Sequence, residues 1–262
     1  MPLTAATIDT LAERLDHAAR NLRGTRMVSE EHPQMEVADA YAVQDALRRR
    51  RLAAGLRQSG FKCGLTSLEK IRQIGLGGPV FGFLTADTAL ADGAEVSAAS
   101  MMTPRVEAEI GIVTRVALGG ADCGIPEVLA AIDHVVPAIE IIDGRYANFR
   151  FDPRDVIADN TSAAYHVIGS TPAAPTGLDL ATLEVEIEKN GAVVARGSSA
   201  AVLGHPAAAV AALARHLHAR GEHIPAGSFI LSGAVAEPIA VQAGDVIVSR
   251  VAGLGTVRAR FG

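Results

Sequence analysis

The 262-residue sequence predicts an α+β fold, with a helical N-terminal part over residues 1–78 and a β-rich body over residues 79–262. Three observations predict it. Apolar residues recur at helical spacing through the first 55 positions. The glycines and proline of "GLGGP" (75–79) then break regular structure. Beyond them, short apolar runs alternate with Gly, Pro, Asp and Asn, the grammar of strands and turns.

Each element has its own signal. Residues 3–23 place Ile8, Leu11, Leu15 and Leu22 near helical spacing, which predicts an amphipathic helix. "VADAYAVQDALRRRRLAAG" (37–55) predicts a second, with Ala40, Val43, Leu47 and Leu52 apolar and Gly55 as its stop. "LEVEIEKNGAVVARG" (183–197) reads as a hairpin, because Asn190-Gly191 is a preferred pair for a tight type I′ turn. "GHPAAAVAALARHLHARG" (204–221) is a helix with Pro206 in its first turn, Val210, Leu213 and Leu217 inward, and Gly221 at its end. The segment from Ala226 to Gly262 supplies further strands.

The totals narrow the function classes. A formal net charge of −5 leaves no electrostatic footprint for nucleic acid. The basic run "RRRR" (48–51) lies in a helical pattern and reads as a solvated helix end or interface edge. Asp9, Glu13 and Asp16 argue against a signal peptide, and no apolar run approaches membrane-spanning length. Two cysteines, Cys63 and Cys123, are too few for a metal cluster and suit a reducing compartment, so a cytoplasmic location is expected. The glycines at 75, 77 and 78 lack a strand–loop–helix context for a dinucleotide, and Gly-x-Ser-x-Gly is absent.

The acidic residues carry the chemistry. In "PRVEAEIGIV" (104–113), strand alternation puts Val106, Ala108, Ile110 and Ile112 on one face and Glu107 and Glu109 on the other. Their Cα atoms are then roughly 6.5 to 7 Å apart, so both carboxylates can lean onto one cation. An exposed strand face is the competing reading. In "VVPAIEIID" (135–143) a lone Glu140 interrupts an apolar run without alternation, the pattern of a strand buried on both faces. A buried carboxylate needs a partner: a cation shared with the pair, or a salt bridge from Arg105 or Arg145. Three carboxylates without a His or Cys pattern make an all-oxygen site of the kind that suits Mg²⁺ or Mn²⁺. Glu184, Glu186 and Glu188 of the hairpin instead alternate with Leu183, Val185 and Ile187, leaving one ordinary wet face.

Weaker signals stand beside these. Lys62 in "GFKCGLTS" (60–67) could bind a substrate anion or be merely solvated. Asn160, Thr161 and Ser162 precede a strand as a turn, a cap or a hydrogen-bonding patch for a ligand. His205 before Pro206 reads as capping or structural.

Seven stretches in order, "FKCGLTS", "PVFGFLT", "PRVEAEIGIV", "VPAIEIIDGR", "ADNTS", "LGHPAAAVAALA" and "AGDVIVSRVAGLGTVRARF", resemble the 2-keto-4-pentenoate hydratase / 4-oxalocrotonate decarboxylase family of the fumarylacetoacetate hydrolase-like superfamily. The resemblance spans nearly the whole chain. It implies a mixed β-roll or sandwich body, and a divalent metal, Mg²⁺ or Mn²⁺, on Glu107, Glu109 and Glu140, with no organic cofactor. It implies a catalytic role for Lys62 and substrate contacts from Lys62, Leu65, Thr66, Arg145, Asn160 and Ser162. It further implies a homo-oligomer and a complex with a paralogous hydratase in catechol meta-cleavage.

The same resemblance orders the activities. Hydratases of the family carry an Asp where this chain has Val80, and an apolar side chain cannot move a proton. "FGFLT" and "RYANFRF" are similar to the decarboxylase branch, whereas Gly144 and Cys63 depart from the pattern. The expected reaction is metal-dependent decarboxylation of 2-oxo-3-hexenedioate (4-oxalocrotonate) to 2-hydroxypenta-2,4-dienoate and CO₂. The alternatives are hydration of 2-hydroxypenta-2,4-dienoate and a non-catalytic keto-acid-binding scaffold.

Overall fold

The computed structural model describes residues 2–148 and 150–262; Phe149, within "RYANFRF", lies outside the described residues. Three helices open the chain: α1 (Ala5–Asn21), α2 (Val28–Glu31) and α3 (Val37–Ala53). The Thr4 hydroxyl caps α1 by accepting from the Thr7 amide, and Leu22 ends it in the left-handed conformation. Leu22 and Leu52, counted in the apolar stripes by spacing, are both 40% exposed, because each sits at or beyond the last packed turn of its helix. Leu11 and Leu15 of α1 pack instead with Val43 and Leu47 of α3.

Next come β1 (Gln58–Gly64), α4 (Leu68–Ile74), β2 (Val80–Thr85), β3 (Ala89–Ala91), β4 (Glu95–Val96) and β5 (Arg105–Thr114). They are followed by α5 (Ile125–Ala131), β6 (Ile132–Ile142), α6 (Pro153–Ala158) and β7 (Ala163–Ile168). The chain closes with β8 (Glu184–Lys189), β9 (Ala192–Ser198), α7 (Pro206–His218), β10 (Phe229–Leu231), β11 (Ile239–Ala240), β12 (Val246–Val251) and β13 (Gly255–Phe261). The tight turn between β8 and β9 has Asn190 at φ 54° and Gly191 at φ 83°, as a type I′ pair requires. His205 caps α7, its Nδ1 accepting from the Ala207 amide at 3.0 Å. No helix among the described residues is long and apolar enough to cross a membrane.

Two sheets form the body. The larger runs β2-β1-β10-β5-β6-β7-β3, with β11 also on β5; the smaller runs β4-β13-β12-β8-β9. The larger sheet is mixed, since β1 is parallel to β10 and β3 to β7 while the other pairs are antiparallel. β1, within residues 1–78, is an inner strand of it.

The register sorts side chains onto two faces. On one, Phe61, Ile110, Ile112, Ile139, Ile141 and Val167 pack against Ile187, Ile247, Val257 and Phe261 of the smaller sheet and against α7, making the main core. The other face curls inward. Asn160, just before β7, donates to the Phe83 carbonyl on β2 and accepts from the Phe83 amide, so the sheet closes from β2 onto the start of β7. Leu84, Val136, Ala138, Phe229 and Leu231 fill one part of this enclosed lumen. The rest holds charge.

Candidate active site

β5 and β6 bring the acids together. Glu107 lies directly opposite Glu140 in the antiparallel register, with Glu109 two residues further along β5 on the same face. One carboxylate oxygen from each can be chosen such that all lie within 4.8 Å of one another. Glu109 and Glu140 are fully buried and Glu107 is half-buried, so the exposed-face reading does not hold. Glu109 Oε2 accepts from the Gly233 amide at 2.7 Å, whereas Glu109 Oε1 and Glu140 Oε1 are buried without a hydrogen-bond partner among the described residues.

The cation beside Glu140 is Lys62, not Arg105 or Arg145. β1 reaches β5 through β10, and its inward face carries Lys62, fully buried, with Nζ 2.9 Å from Glu140 Oε2 and donating to the Thr161 carbonyl at 3.1 Å. Arg145 is turned elsewhere. Its guanidinium donates to the Asp143 carbonyl at 2.6 Å and to the Ala163 carbonyl, and lies 3.5 Å from Asp159. The Asn160 amide is taken up by Phe83 on both sides, and Thr66 packs against Gly233.

Electrostatics follow from burial. Burial alone pushes Lys62 down, but Glu140, Glu107 and Glu109 outweigh it and hold the ammonium above the ordinary lysine value. Glu109 is pushed well above the carboxylate range by burial first, then by Glu140 and Glu107. Burial likewise raises Glu140 to about 7 in spite of Lys62 beside it. Three carboxyl groups share one ammonium, so burial resists ionisation of the whole cluster until a divalent cation adds further positive charge. The orphaned buried oxygens and the all-oxygen donor set fit Mg²⁺ or Mn²⁺. Adding Mg²⁺ to chelator-treated protein at 100 times its dissociation constant is expected to stabilise the fold by about 2.7 kcal/mol. A melting experiment should read this as a rise of roughly 5 to 10 °C, and no rise would count against the site.

The sequence marked Thr161 only as part of a turn, a cap or a ligand patch, and it gave Gly82, Gly233 and His166 no role. Thr161 offers its carbonyl from three consecutive left-handed residues, Asn160, Thr161 and Ser162, at φ 50°, 51° and 58°. The left-handed conformation costs roughly 1 to 2 kcal/mol per non-glycine residue, and Thr, being β-branched, is a rare choice for it. Gly82 lets this turn approach β2, since a Cβ there would stand 2.5 Å from Thr161 Oγ1. Gly233, at φ 124°, both supports Glu109 and clears Thr66, whose Oγ1 would be 2.3 Å from an added Cβ. His166 pairs with Glu140 in the β6–β7 register, stacks on Phe229 at 5.4 Å, and is pushed down to about 4 by burial. A lone His in "AAYHVIG" gave no sign of this placement.

A rolled mixed sheet whose lumen gathers three glutamates and a buried lysine defines a class of protein that can hold a divalent cation against an anionic ligand. The chain belongs to the fumarylacetoacetate hydrolase family, whose C-terminal domain it matches over residues 63–262. It is 45% identical to the 4-oxalocrotonate decarboxylase of Pseudomonas putida over 251 residues, covering 96% of this chain and 95% of that one. It is 38% identical to the 2-keto-4-pentenoate hydratase of Paraburkholderia xenovorans strain LB400 over 259 residues, covering 99% and 96%. The solved 4-oxalocrotonate decarboxylase from Pseudomonas putida G7, complexed with magnesium and adipate, matches with a TM-score of 0.96 over 99% of both chains at 45% identity.

Proposed function

We propose that this chain is a metal-dependent carbon–carbon lyase that decarboxylates 2-oxo-3-hexenedioate (4-oxalocrotonate) to 2-hydroxypenta-2,4-dienoate. The observation that carries the reading is the buried Lys62 ammonium amid Glu107, Glu109 and Glu140, with Val80 and not an acid on the same face of the neighbouring strand. The whole-chain likeness to a decarboxylase complexed with adipate, a six-carbon dicarboxylate, supports it.

Glu107, Glu109 and Glu140 would hold the cation. When bound, it supplies Lewis-acid polarisation of the 2-oxo group. The C5–C6 bond breaks and C6 leaves as CO₂; the electron pair moves through the C3–C4 double bond to the C2 oxygen. Lys62, fixed between Glu140 and the Thr161 carbonyl, places a full positive charge beside the oxygen that gains negative charge. A proton on that oxygen completes the product. Burial of the lumen keeps this charge in a low dielectric, where each interaction is stronger than in water.

Leu65, Thr66 and Ser162 are proposed to line the substrate, together with Lys62. Asn160 and Arg145 are proposed to act nearby through the protein contacts they already make. A homo-oligomer, association with a paralogous hydratase, a cytoplasmic location and use of Mn²⁺ as well as Mg²⁺ complete the proposal.

Hydration of 2-hydroxypenta-2,4-dienoate is the second reading, supported by 38% identity to a hydratase. Val80 counts against it, because water addition needs a proton-moving group. Assaying CO₂ release and hydration with both substrates, with and without Mg²⁺, decides. Metal-dependent CO₂ release is expected; hydration alone would establish the second reading, and no turnover with tight keto-acid binding would indicate a scaffold.

A further inference from the structure

Lys62 has two anchors, and only one of them is a carboxylate. The other, the Thr161 carbonyl, comes from a turn in an unfavourable backbone conformation, so its direction must be imposed from outside. Three sets of contacts impose it. Asn160 makes both of its amide bonds to Phe83, at 2.9 and 3.0 Å. Thr161 Oγ1 donates to the Asn160 carbonyl at 2.7 Å. On the far side, the Arg145 guanidinium spans the carbonyls of Asp143 and Ala163, while Asp159 accepts from the Arg145 amide at 3.0 Å. Asp143 also accepts two backbone amides, from Met102 and Thr103, and its own amide donates to the Ser162 carbonyl. Asn160, Arg145 and Asp159 are all buried.

We infer that Asn160 and the Arg145–Asp159 pair are positioning residues for Lys62, holding the Thr161 carbonyl where it shares the ammonium with Glu140 and keeps it from bridging to Glu109. The inference rests on the proposed role of Lys62 in decarboxylation. Without that carbonyl, the ammonium moves fully onto Glu140 and Glu109 and competes with the divalent cation for their oxygens. A residue acting through Lys62 therefore affects metal affinity only while Lys62 is present, which a general structural role does not do.

The test is a double-mutant cycle of Asn160→Ala and Lys62→Met. Mn²⁺ dissociation constants are measured by calorimetry, and kcat and KM with 2-oxo-3-hexenedioate. Asn160→Ala is expected to lower kcat by up to about 100-fold with little change in KM, the scale of a slightly misplaced catalytic group. It should weaken Mn²⁺ binding several-fold when Lys62 is present and leave it unchanged when combined with Lys62→Met, a coupling that only groups acting together show. Equal weakening in both backgrounds, or an unchanged kcat, overturns the inference alone. Full turnover by Lys62→Met removes the proposed role of Lys62 and this inference with it. Arg145→Lys, which keeps the charge but loses the planar fork, is the second probe and carries the same expectation if Asn160→Ala does not fold.

Discussion

Replacing Glu109 with glutamine is expected to lower metal-dependent kcat/KM by more than about 100-fold, the least that the loss of a metal ligand should cost when outer-shell partners alone cost 10 to 100-fold. Glu186→Gln should leave it within about twofold, since exposed ion pairs contribute little. The two glutamates occupy look-alike alternating strands and differ only in surroundings. Glu109 is fully buried, with one oxygen held by Gly233 and the other orphaned. Glu186 lies on the wet face of β8 with Arg196 at 2.8 Å. Glutamine keeps the volume of Glu109 and removes an acid whose ionisation burial disfavours without a cation, so the apoprotein should melt no lower than wild type. The Mg²⁺-induced rise in melting temperature should vanish in Glu109→Gln and persist in Glu186→Gln. Equal losses of activity in two folded variants would show that the wrong strand had been chosen.

The second large effect concerns stability. Arg145→Ala should destabilise the fold by about 3 to 5 kcal/mol, because it removes the nearest charge partner of buried Asp159 and leaves only the more distant Arg51. Thermal unfolding should register a fall of roughly 6 to 20 °C. The deficit should also depend on pH. Burial lifts Asp159 to about 6, with Arg145 acting against the lift. An acid whose folded value lies above its unfolded one holds its proton more tightly when folded. Its contribution to stability is therefore greatest below the unfolded value and is lost as pH rises through the folded value. Without Arg145 the value rises further, so Asp159 stays neutral at pH 5 at little cost but must be charged or retain a proton unfavourably at pH 8. The difference between variant and wild type should grow from pH 5 to pH 8. A deficit that is equal or larger at pH 5 would show that this ion pair does not hold the turn.

Local patterns were legible wherever the cause was local. Asn190-Gly191 specified its turn through two left-handed residues, and His205-Pro206 marked the start of α7 because a side-chain acceptor and a fixed φ suit a first helical turn. Alternation at two-residue spacing put Glu107 and Glu109 on one face, and the unbroken apolar run around Glu140 marked β6 as buried on both sides. The resemblance carried by seven ordered stretches extended this to Lys62. Helix ends were read less well: Leu22 and Leu52 fit the spacing of an apolar stripe, but at a terminus there is no neighbouring element to cover them.

The sequence by itself determined which side chains share a strand face and where the β8–β9 turn falls, and it raised the expectation that three carboxylates share a cation. Only the tertiary structure decided which cation stands beside Glu140, because Lys62 is 78 positions away and arrives through the strand order β1-β10-β5-β6. It also decided that Asn160 and Arg145 spend their polar groups on Phe83, Asp143 and Ala163, since those partners are set by the closure of the sheet upon itself. Side-chain periodicity follows from the geometry of one chain segment. Strand order and closure follow from burying the whole apolar surface at once, and no short stretch of sequence contains that requirement.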